Sequence, residues 1–350
     1  MSWFRSLPLT PIVAGASFYL LSLSPDHIRD PLLQRLSAYL SPQQIKNLIT
    51  TLKWIFIAKS VSYTNGTLNE LALNNYHSEP KEKWIWSQEI AVVTGASSGF
   101  GKLFTQDLTA KGIHVVGIDV NDAPQDLLSN KRFTFFKCDV TDAEAVRETA
   151  TKIKDTVGHP SILINNAGIA GNHLIVNTPP QHLQKIFGVN ILSHWYLCQQ
   201  FLPHMIEKKK GHVVSIASMA SFISNPSMVD YCACKSAVLA FHEGLAAELR
   251  AVHKCPEIKT TIVHPLWAAT AMVAPYTPEL LKGGQKIMDP QIVSDAVVQN
   301  ILNRRGGKLV IGHQTNLIKK ARFMPEWFTY LIGRAMEKKL DFNKVAKKSA

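Results

Sequence analysis

Tyr231 and Lys235 stand four residues apart in the run Tyr-Cys-Ala-Cys-Lys. On a helix, positions i and i+4 stack on one face, so this spacing brings an ammonium beside a phenol. The chemistry this suits is proton transfer. A free tyrosine titrates near ~10, and bringing it to about 7 takes roughly 4 kcal/mol of preferential stabilisation of the phenolate, which neighbouring positive charge can supply. Tyr-x3-Lys occurs on many helices, so its meaning depends on what surrounds it. Ser215, Ser218 and Ser221 precede it, in and after a buried-looking apolar run. Ser218 is not flanked by a Gly-x-Ser-x-Gly elbow, which argues against a nucleophilic serine.

A second group of residues could hold a phosphate. An apolar run leads directly into Thr94-Gly95-Ala-Ser97-Ser98-Gly99-Phe100-Gly101. Glycines there permit a tight turn, let backbone N–H groups approach a pyrophosphate, and deliver the positive end of the next helix to that anion. An acid, Asp119, closes the following apolar run eighteen residues past Gly101. A carboxylate there accepts from adenosine ribose hydroxyls and repels a 2′-phosphate. The five cysteines form no CxxC or zinc-ligand spacing and read as reduced thiols. Cys232 and Cys234 read as small helix-face residues beside Tyr231, and no metal is expected.

Positioning these groups requires a scaffold of alternating strands and helices. Strand candidates are 89–94, 114–119, 133–138, 161–166, 212–217, 259–264 and 308–312, nearly all continuous apolar runs suited to burial on both faces. Helical patterns lie between most of them. One is expected to start at a capping box, Thr141-x-x-Glu144, and to end near Gly158. The alternation predicts an α/β fold with a doubly wound parallel sheet of about seven strands.

Taken together, these motifs resemble the short-chain dehydrogenase/reductase family over about residues 88–315. The glycine spacing, Gly-x3-Gly-x-Gly, is that family's. The resemblance implies a Rossmann-type domain and NAD(P)-dependent oxidation of an alcohol or reduction of a carbonyl. It implies that Gly95, Ser97, Ser98, Gly99, Phe100, Gly101 and Asp119 hold the cofactor. Asp139 and Val140, in Cys-Asp-Val, would meet adenine, and Asn166, Ala167 and Gly168, in Asn-Asn-Ala-Gly, would support the sheet centre beside the cofactor. Asn190, Ser218, Tyr231 and Lys235 match the catalytic set. Ser218, thirteen residues before Tyr231, would bind the substrate oxygen, Lys235 would also bind the nicotinamide ribose, and Asn190 would hold a relay water. Pro265 and Thr270 match the loop after the sixth strand, where Leu266 replaces the usual glycine. NADP members often carry a basic residue at the positions of Ser98 or Val120, so NAD is favoured over NADP. Members commonly dimerise or tetramerise, so a homodimer is possible.

The ends of the chain differ from this middle. No charge occurs between Arg5 and Asp26, and twenty uncharged residues would make about 30 Å of helix, a bilayer's hydrocarbon thickness. Membrane insertion is expected, with a signal peptide or a docked helix as rivals. An amphipathic stretch at 32–52, a second apolar run (Thr-Leu-Lys-Trp-Ile-Phe-Ile) and a possible glycosylation sequon at Asn65 follow. The net charge is +12, and from Arg304 onward twelve Lys or Arg face only Glu326, Glu337 and Asp341. Because Phe323, Met324, Trp327, Phe328, Tyr330, Leu331 and Ile332 are mixed into this basic tail, a membrane surface fits better than nucleic acid, while a helix packed on the domain remains the alternative. The expected division is 1–86 membrane-associated extension, 87–315 catalytic domain and 316–350 basic tail.

The apolar N-terminus, Ile118-Asp119-Val120-Asn121 and the aromatic tail resemble the membrane-associated branch that holds retinol dehydrogenases and 17-beta-hydroxysteroid dehydrogenase 11-like enzymes. That implies a steroid, retinoid or long-chain lipid as substrate. The apolar N-terminus and the end of the tail point to attachment at the cytosolic face of the endoplasmic reticulum, extending to lipid droplets. The closing Lys347-Lys348-Ser349-Ala350 resembles a dilysine retrieval signal. Ile169, Ala170, Phe222, Ile223, Trp267, Met272, Val273 and Tyr276 are candidate pocket linings, about half of them expected to be core. The alternatives are an NADPH-dependent keto-reductase of acyl lipids and a non-catalytic NAD-binding scaffold on a membrane.

Overall fold

A computed structural model describes residues 11–76, 83–171, 173–313 and 324–337. The chain forms two compact units, Met1–Tyr76 and His77–Ala350.

In the first unit, α1 (Pro11–Ser22) and α2 (Asp26–Ser37) lead to the long α3 (Pro42–Leu73). A capping box starts α3: Gln44 N–H donates to the Ser41 hydroxyl and Gln44 Oε1 accepts from the Ser41 N–H. That cap divides the stretch expected to be amphipathic as one piece. Gly15 lets α1 close on α3, since a Cβ there would lie 2.7 Å from the Phe56 ring. Among the described residues no helix is long and apolar enough to cross a membrane, and residues 6–10 of the uncharged N-terminal stretch lie outside the described residues. The described α1 has 12 residues, about 18 Å of helix, and α3 is interrupted by lysines and polar residues. Asn65, the sequon asparagine, lies inside α3.

The second unit is a seven-stranded parallel sheet in the order β3-β2-β1-β4-β5-β6-β7. Its strands are β1 (Ile90–Thr94), β2 (His114–Asp119), β3 (Phe133–Lys137), β4 (Ile162–Asn165), β5 (His212–Ile216), β6 (Lys259–Pro265) and β7 (Gly307–Ile311). Between them run α4 (Gly99–Ala110), α5 (Gln125–Leu128), α6 (Ala143–Thr156), α7 (Pro180–Phe187), α8 (Ser193–Lys208), α9 (Val229–Ala251), α10 (Thr277–Lys282) and α11 (Gln291–Leu302). A last helix, α12 (Glu326–Glu337), follows.

The pleat sorts β1 onto two cores. Ala91 and Val93 pack with Phe104 and Leu108 of α4 and Val293 and Val297 of α11. Val92 packs with Ile153 of α6, Leu197 and Phe201 of α8 and Leu249 of α9. Covering both faces explains why the strands are apolar at every position rather than at alternate ones. The order reverses between β1 and β4, and at such a switch point the carboxyl ends of the strands open a crevice.

Two local expectations are revised. Asp142, not Thr141, caps α6: its carboxylate accepts from the N–H groups of Glu144 and Ala145, while the Thr141 hydroxyl turns back to Asp139. The helix does end where expected, with Gly158 at φ +121° just past the C-cap Val157. Leu266, in place of glycine, needs no left-handed backbone. Its N–H donates to the Ile311 carbonyl and so extends the β6–β7 ladder by one bond.

Candidate active site

The glycine turn forms at the carboxyl end of β1. Gly95 (φ +66°) and Gly99 (φ +52°) occupy left-handed backbone that glycine adopts without strain. Gly101 is required by proximity, since a Cβ there would lie 2.0 Å from the Gly95 carbonyl oxygen and 2.7 Å from the Asn166 amide nitrogen. Asn166 donates from that nitrogen to the carbonyls of Thr94 (2.8 Å) and Gly95 (3.3 Å). Thr94 Oγ1 accepts from the N–H groups of Asn166 and Ala167, each at 3.0 Å. The end of β4 and the glycine turn are thereby one hydrogen-bonded piece, which is why β4 stops at Asn165.

Asp119 is buried at the end of β2. Its Oδ2 accepts from the Ser97 N–H (3.0 Å) and its Oδ1 from the Asn121 N–H (2.9 Å), so the carboxylate sets the path of the turn. Ser97 Oγ donates to the Asn121 carbonyl at 3.1 Å. Ser98 is the N-cap of α4, and Phe100 packs partly against the core. Asp139 is exposed and accepts at Oδ1 from the Thr141 N–H and hydroxyl, while Val140 is buried. Thr270 stands beside the turn, 3.8 Å from where a Gly99 Cβ would be, and Pro265 is buried as the last residue of β6.

Four polar side chains converge from three elements. Tyr231 and Lys235 share the first turns of α9, with the ammonium 5.6 Å from the phenol ring centroid. Lys235 is buried and donates from Nζ to the Ile216 carbonyl at 2.8 Å. Ser218, on the turn after β5, hydrogen-bonds Tyr231, and its Oγ also accepts from the Ala220 N–H at 3.1 Å. The two other serines have different surroundings: Ser215 lies within β5, its hydroxyl 3.1 Å from His242 Nδ1, and Ser221 is fully buried. Asn190 is fully buried in a π-helical turn, Gly188–Leu192, between α7 and α8. Such turns recur at functional sites. Asn190 donates to the Ile169 carbonyl (2.9 Å) and accepts from the Ile169 N–H (2.8 Å), fixing the chain just past Gly168. Gly168 keeps that passage narrow: a Cβ on it would meet Asn190 Oδ1 at 3.4 Å and Lys235 Nζ at 3.7 Å.

Burial governs the electrostatics here. It pushes the Tyr231 phenol up to about 12, opposed by the hydrogen bond with Ser218. It pushes the Lys235 ammonium down to about 8. Burial disfavours the charged form of each group, so the two move apart in proton affinity: the phenol holds its proton more firmly and the ammonium releases its own more readily.

The model for the short chain dehydrogenase family matches residues 89–280, which contain this entire site. The chain belongs to that family. A dehydrogenase named RED2 from Cochliobolus heterostrophus is 38% identical over 59% of this chain and 77% of its own length. Mouse epidermal retinol dehydrogenase 2 is 33% identical over 75% of this chain and 83% of its own. Among solved structures, a short-chain dehydrogenase from Streptomyces avermitilis superimposes with a TM-score of 0.59 at 26% identity, covering 67% of this chain and 92% of that one. As a short-chain dehydrogenase, the protein is an NAD(P)-dependent oxidoreductase acting on CH–OH groups. The bare glycine turn fits a dinucleotide, since side chains at Gly95, Gly99 or Gly101 would fill or strain the cradle.

Some supporting residues were not singled out from the sequence. His264 Nδ1 donates to the Ser218 carbonyl at 3.0 Å, and the His264 ring packs tilted by 39° against Phe222, centroids 4.5 Å apart. Its only local signal is its place before Pro265. Thr94 carries the signal of preceding Gly95. Of the eight pocket candidates, Phe222 alone is buried, and Ile169 packs partly against the same cluster. Met272 is exposed and the other five are half-buried, so less of this set is core than expected.

Proposed function

We propose that this short-chain dehydrogenase oxidises or reduces a bulky lipophilic alcohol or ketone at Tyr231, with NAD(H) preferred. The observation that carries the reading is Tyr231 held between Ser218 and Lys235 and packed, with Ile169, against an apolar cluster that includes Met219 and Phe222. For oxidation, Tyr231 as phenolate takes the hydroxyl proton while Ser218 hydrogen-bonds the substrate oxygen. In reduction Tyr231 returns that proton. Lys235 uses one of its three N–H groups on Ile216 and keeps two for the nicotinamide ribose and a relay water. Asn190 spends one N–H and one lone pair on Ile169, and its remaining capacity serves that water. NAD(P) supplies the hydride acceptor or donor and, when oxidised, a positive charge that favours the phenolate. The glycine turn with Ser97, Ser98 and Phe100 binds its pyrophosphate side, Asp119 the ribose, Asp139 and Val140 the adenine, and Asn166, Ala167, Gly168, Pro265 and Thr270 the nicotinamide half.

NAD preference rests on the Asp119 carboxylate and on the absence of a basic residue at Ser98 and Val120. Tenfold preference needs only about 1.4 kcal/mol. Comparing kcat/KM for the two cofactors tests it, and a preference for NADP(H) overturns it.

The lipophilic reading draws support from the retinol dehydrogenase relatives and from the apolar candidates Ile169, Phe222, Ile223 and Trp267. Burial gains roughly 0.8 kcal/mol per methylene, so kcat/KM should rise along a series of alcohols from short to long. A flat or falling series overturns it. We further assign the chain to a membrane surface, at the cytosolic face of the endoplasmic reticulum. Support comes from exposed Trp327, Tyr330 and Leu331 on α12 and exposed Ile12, Trp54 and Tyr63 in the first unit. The dilysine-like end lies outside the described residues. A homodimer, with the division at 1–86, 87–315 and 316–350, completes the proposal, and light scattering of the full chain tests the dimer.

A further inference from the structure

One residue before Tyr231, three segments bring two imidazoles and a carboxylate together for which the reaction has no use. His173 lies in the loop after β4, His182 on α7, and Asp230 in the first turn of α9. His182 Nε2 and Asp230 Oδ2 are 2.9 Å apart, and the His173 and His182 rings lie 4.4 Å apart, tilted by 53°. One ring nitrogen from each histidine and one carboxylate oxygen all fall within 4.8 Å of one another. The setting is enclosed. Asp230 is 4% exposed at its side chain and His182 20%. Tyr276 packs near enough that burial, and then the Asp230 charge, raise its phenol. Gly171 closes over the carboxylate so tightly that a Cβ would sit 2.0 Å from Asp230 Oδ1.

A plain His–Asp hydrogen bond accounts for His182 and Asp230 but leaves His173 unexplained. Its Nδ1 is buried with no hydrogen-bond partner among the described residues. A buried ring nitrogen left bare costs free energy unless something accepts its lone pair or its proton.

We propose that His173, His182 and Asp230 form a binding site for one divalent transition-metal ion of the Zn2+ type, with a further coordination position open. Two imidazoles with one carboxylate select a borderline ion over Mg2+ or Ca2+, which prefer all-oxygen shells. Bond lengths of about 2.0–2.1 Å put ligand atoms about 3.3 Å apart around a tetrahedral ion. The His182–Asp230 pair already lies near that separation, and a closing movement of about 1–1.5 Å brings in the remaining contact. Asp230 Oδ1, meanwhile, accepts from the Tyr231 N–H at 2.8 Å, which orients the carboxylate as outer-shell partners do in metal sites. The ion stitches the loop after β4 and α7 to the start of α9, at the edge of the catalytic set.

The test is titration of the chelator-treated, full-length protein with Co2+, followed by its visible d–d absorption, with Zn2+ as competitor. One equivalent of Co2+ should develop the band and Zn2+ should abolish it. His173→Leu, His182→Gln and Asp230→Asn should each weaken Co2+ binding by at least about 100-fold while NAD(H) binding persists as the check on folding. X-ray absorption of the Co2+-loaded wild type should count two imidazoles, and this readout needs no variant to fold. No stoichiometric band, an unchanged band in the folded variants, or sulfur in the first shell overturns the proposal. Because the readout is metal binding, it fails or succeeds independently of the substrate assignment.

Discussion

Burial holds the Tyr231 phenol protonated, at about 12, even against the opposing pull of Ser218. Replacing it with phenylalanine removes one hydroxyl and leaves the ring packing intact. Tyr231→Phe should lower kcat by about 10³-fold or more, near the range of general acid–base catalysis, with cofactor binding retained. Steady-state kinetics with fluorescence titration of NADH checks both, and activity within tenfold of wild type would assign the proton transfer elsewhere. The pH dependence has opposite signs in the two directions. Oxidation needs the phenolate, so its kcat/KM rises with pH; reduction needs the phenol and falls. A profile that is flat in both directions would remove Tyr231 as the titrating group. Tyr231 and Lys235 were legible in the sequence because their relation is one helical turn. The role of His264 was not, because its bond to the Ser218 carbonyl spans the gap between two strands.

At the scale of elements, the β1–α4 turn and the end of β4 act together. Gly101→Ala drives a Cβ onto the Gly95 carbonyl, which is backbone, and onto the Asn166 side-chain amide, which its hydrogen bonds to the Thr94 and Gly95 carbonyls hold in place. Overpacking of this kind costs about 1–3 kcal/mol, and relieving it displaces the backbone proposed to face the cofactor. The expected result is cofactor binding weakened at least about tenfold, with the far-UV circular dichroism unchanged. Calorimetric titration checks it, and wild-type affinity would mean the turn tolerates the shift. The glycine spacing announced this turn, and the apolar runs announced all seven strands to within one or two residues. The α6 cap was misplaced by one residue because Thr141 and Asp142 both carry cap-competent oxygens. Which of them faces the helix end depended on Asp139, whose carboxylate takes the Thr141 hydroxyl.

Across the whole molecule, buried histidines tie stability to pH. Burial lowers His194, His212 and His242 to about 3 and His264 to about 4. Below the ordinary value of 6.5 the unfolded chain binds protons that the folded one refuses, so stability is lost as pH falls from about 6.5 toward 3. Each histidine contributes up to about 1.4 kcal/mol per pH unit across that window. The melting temperature should therefore drop steeply from pH 7 to pH 5, less so in His242→Gln, and equal slopes in the two proteins would refute the role of His242. Vesicle co-sedimentation addresses the other end of this scale: binding of the full chain to anionic vesicles should weaken as salt rises, because the tail is basic. Binding indifferent to salt would leave only the apolar residues as the anchor. The sequence alone determined the parallel sheet, the cofactor turn and the Tyr–Lys pair, since each rests on spacing within one element or on burial of both sheet faces. Only the tertiary structure decided that Ser218 rather than Ser215 or Ser221 meets Tyr231, that Asn190 brackets Ile169, and that His173, His182 and Asp230 converge. Those contacts join residues nine to dozens of positions apart, and they exist because packing fixes where separate elements end, which no local pattern encodes.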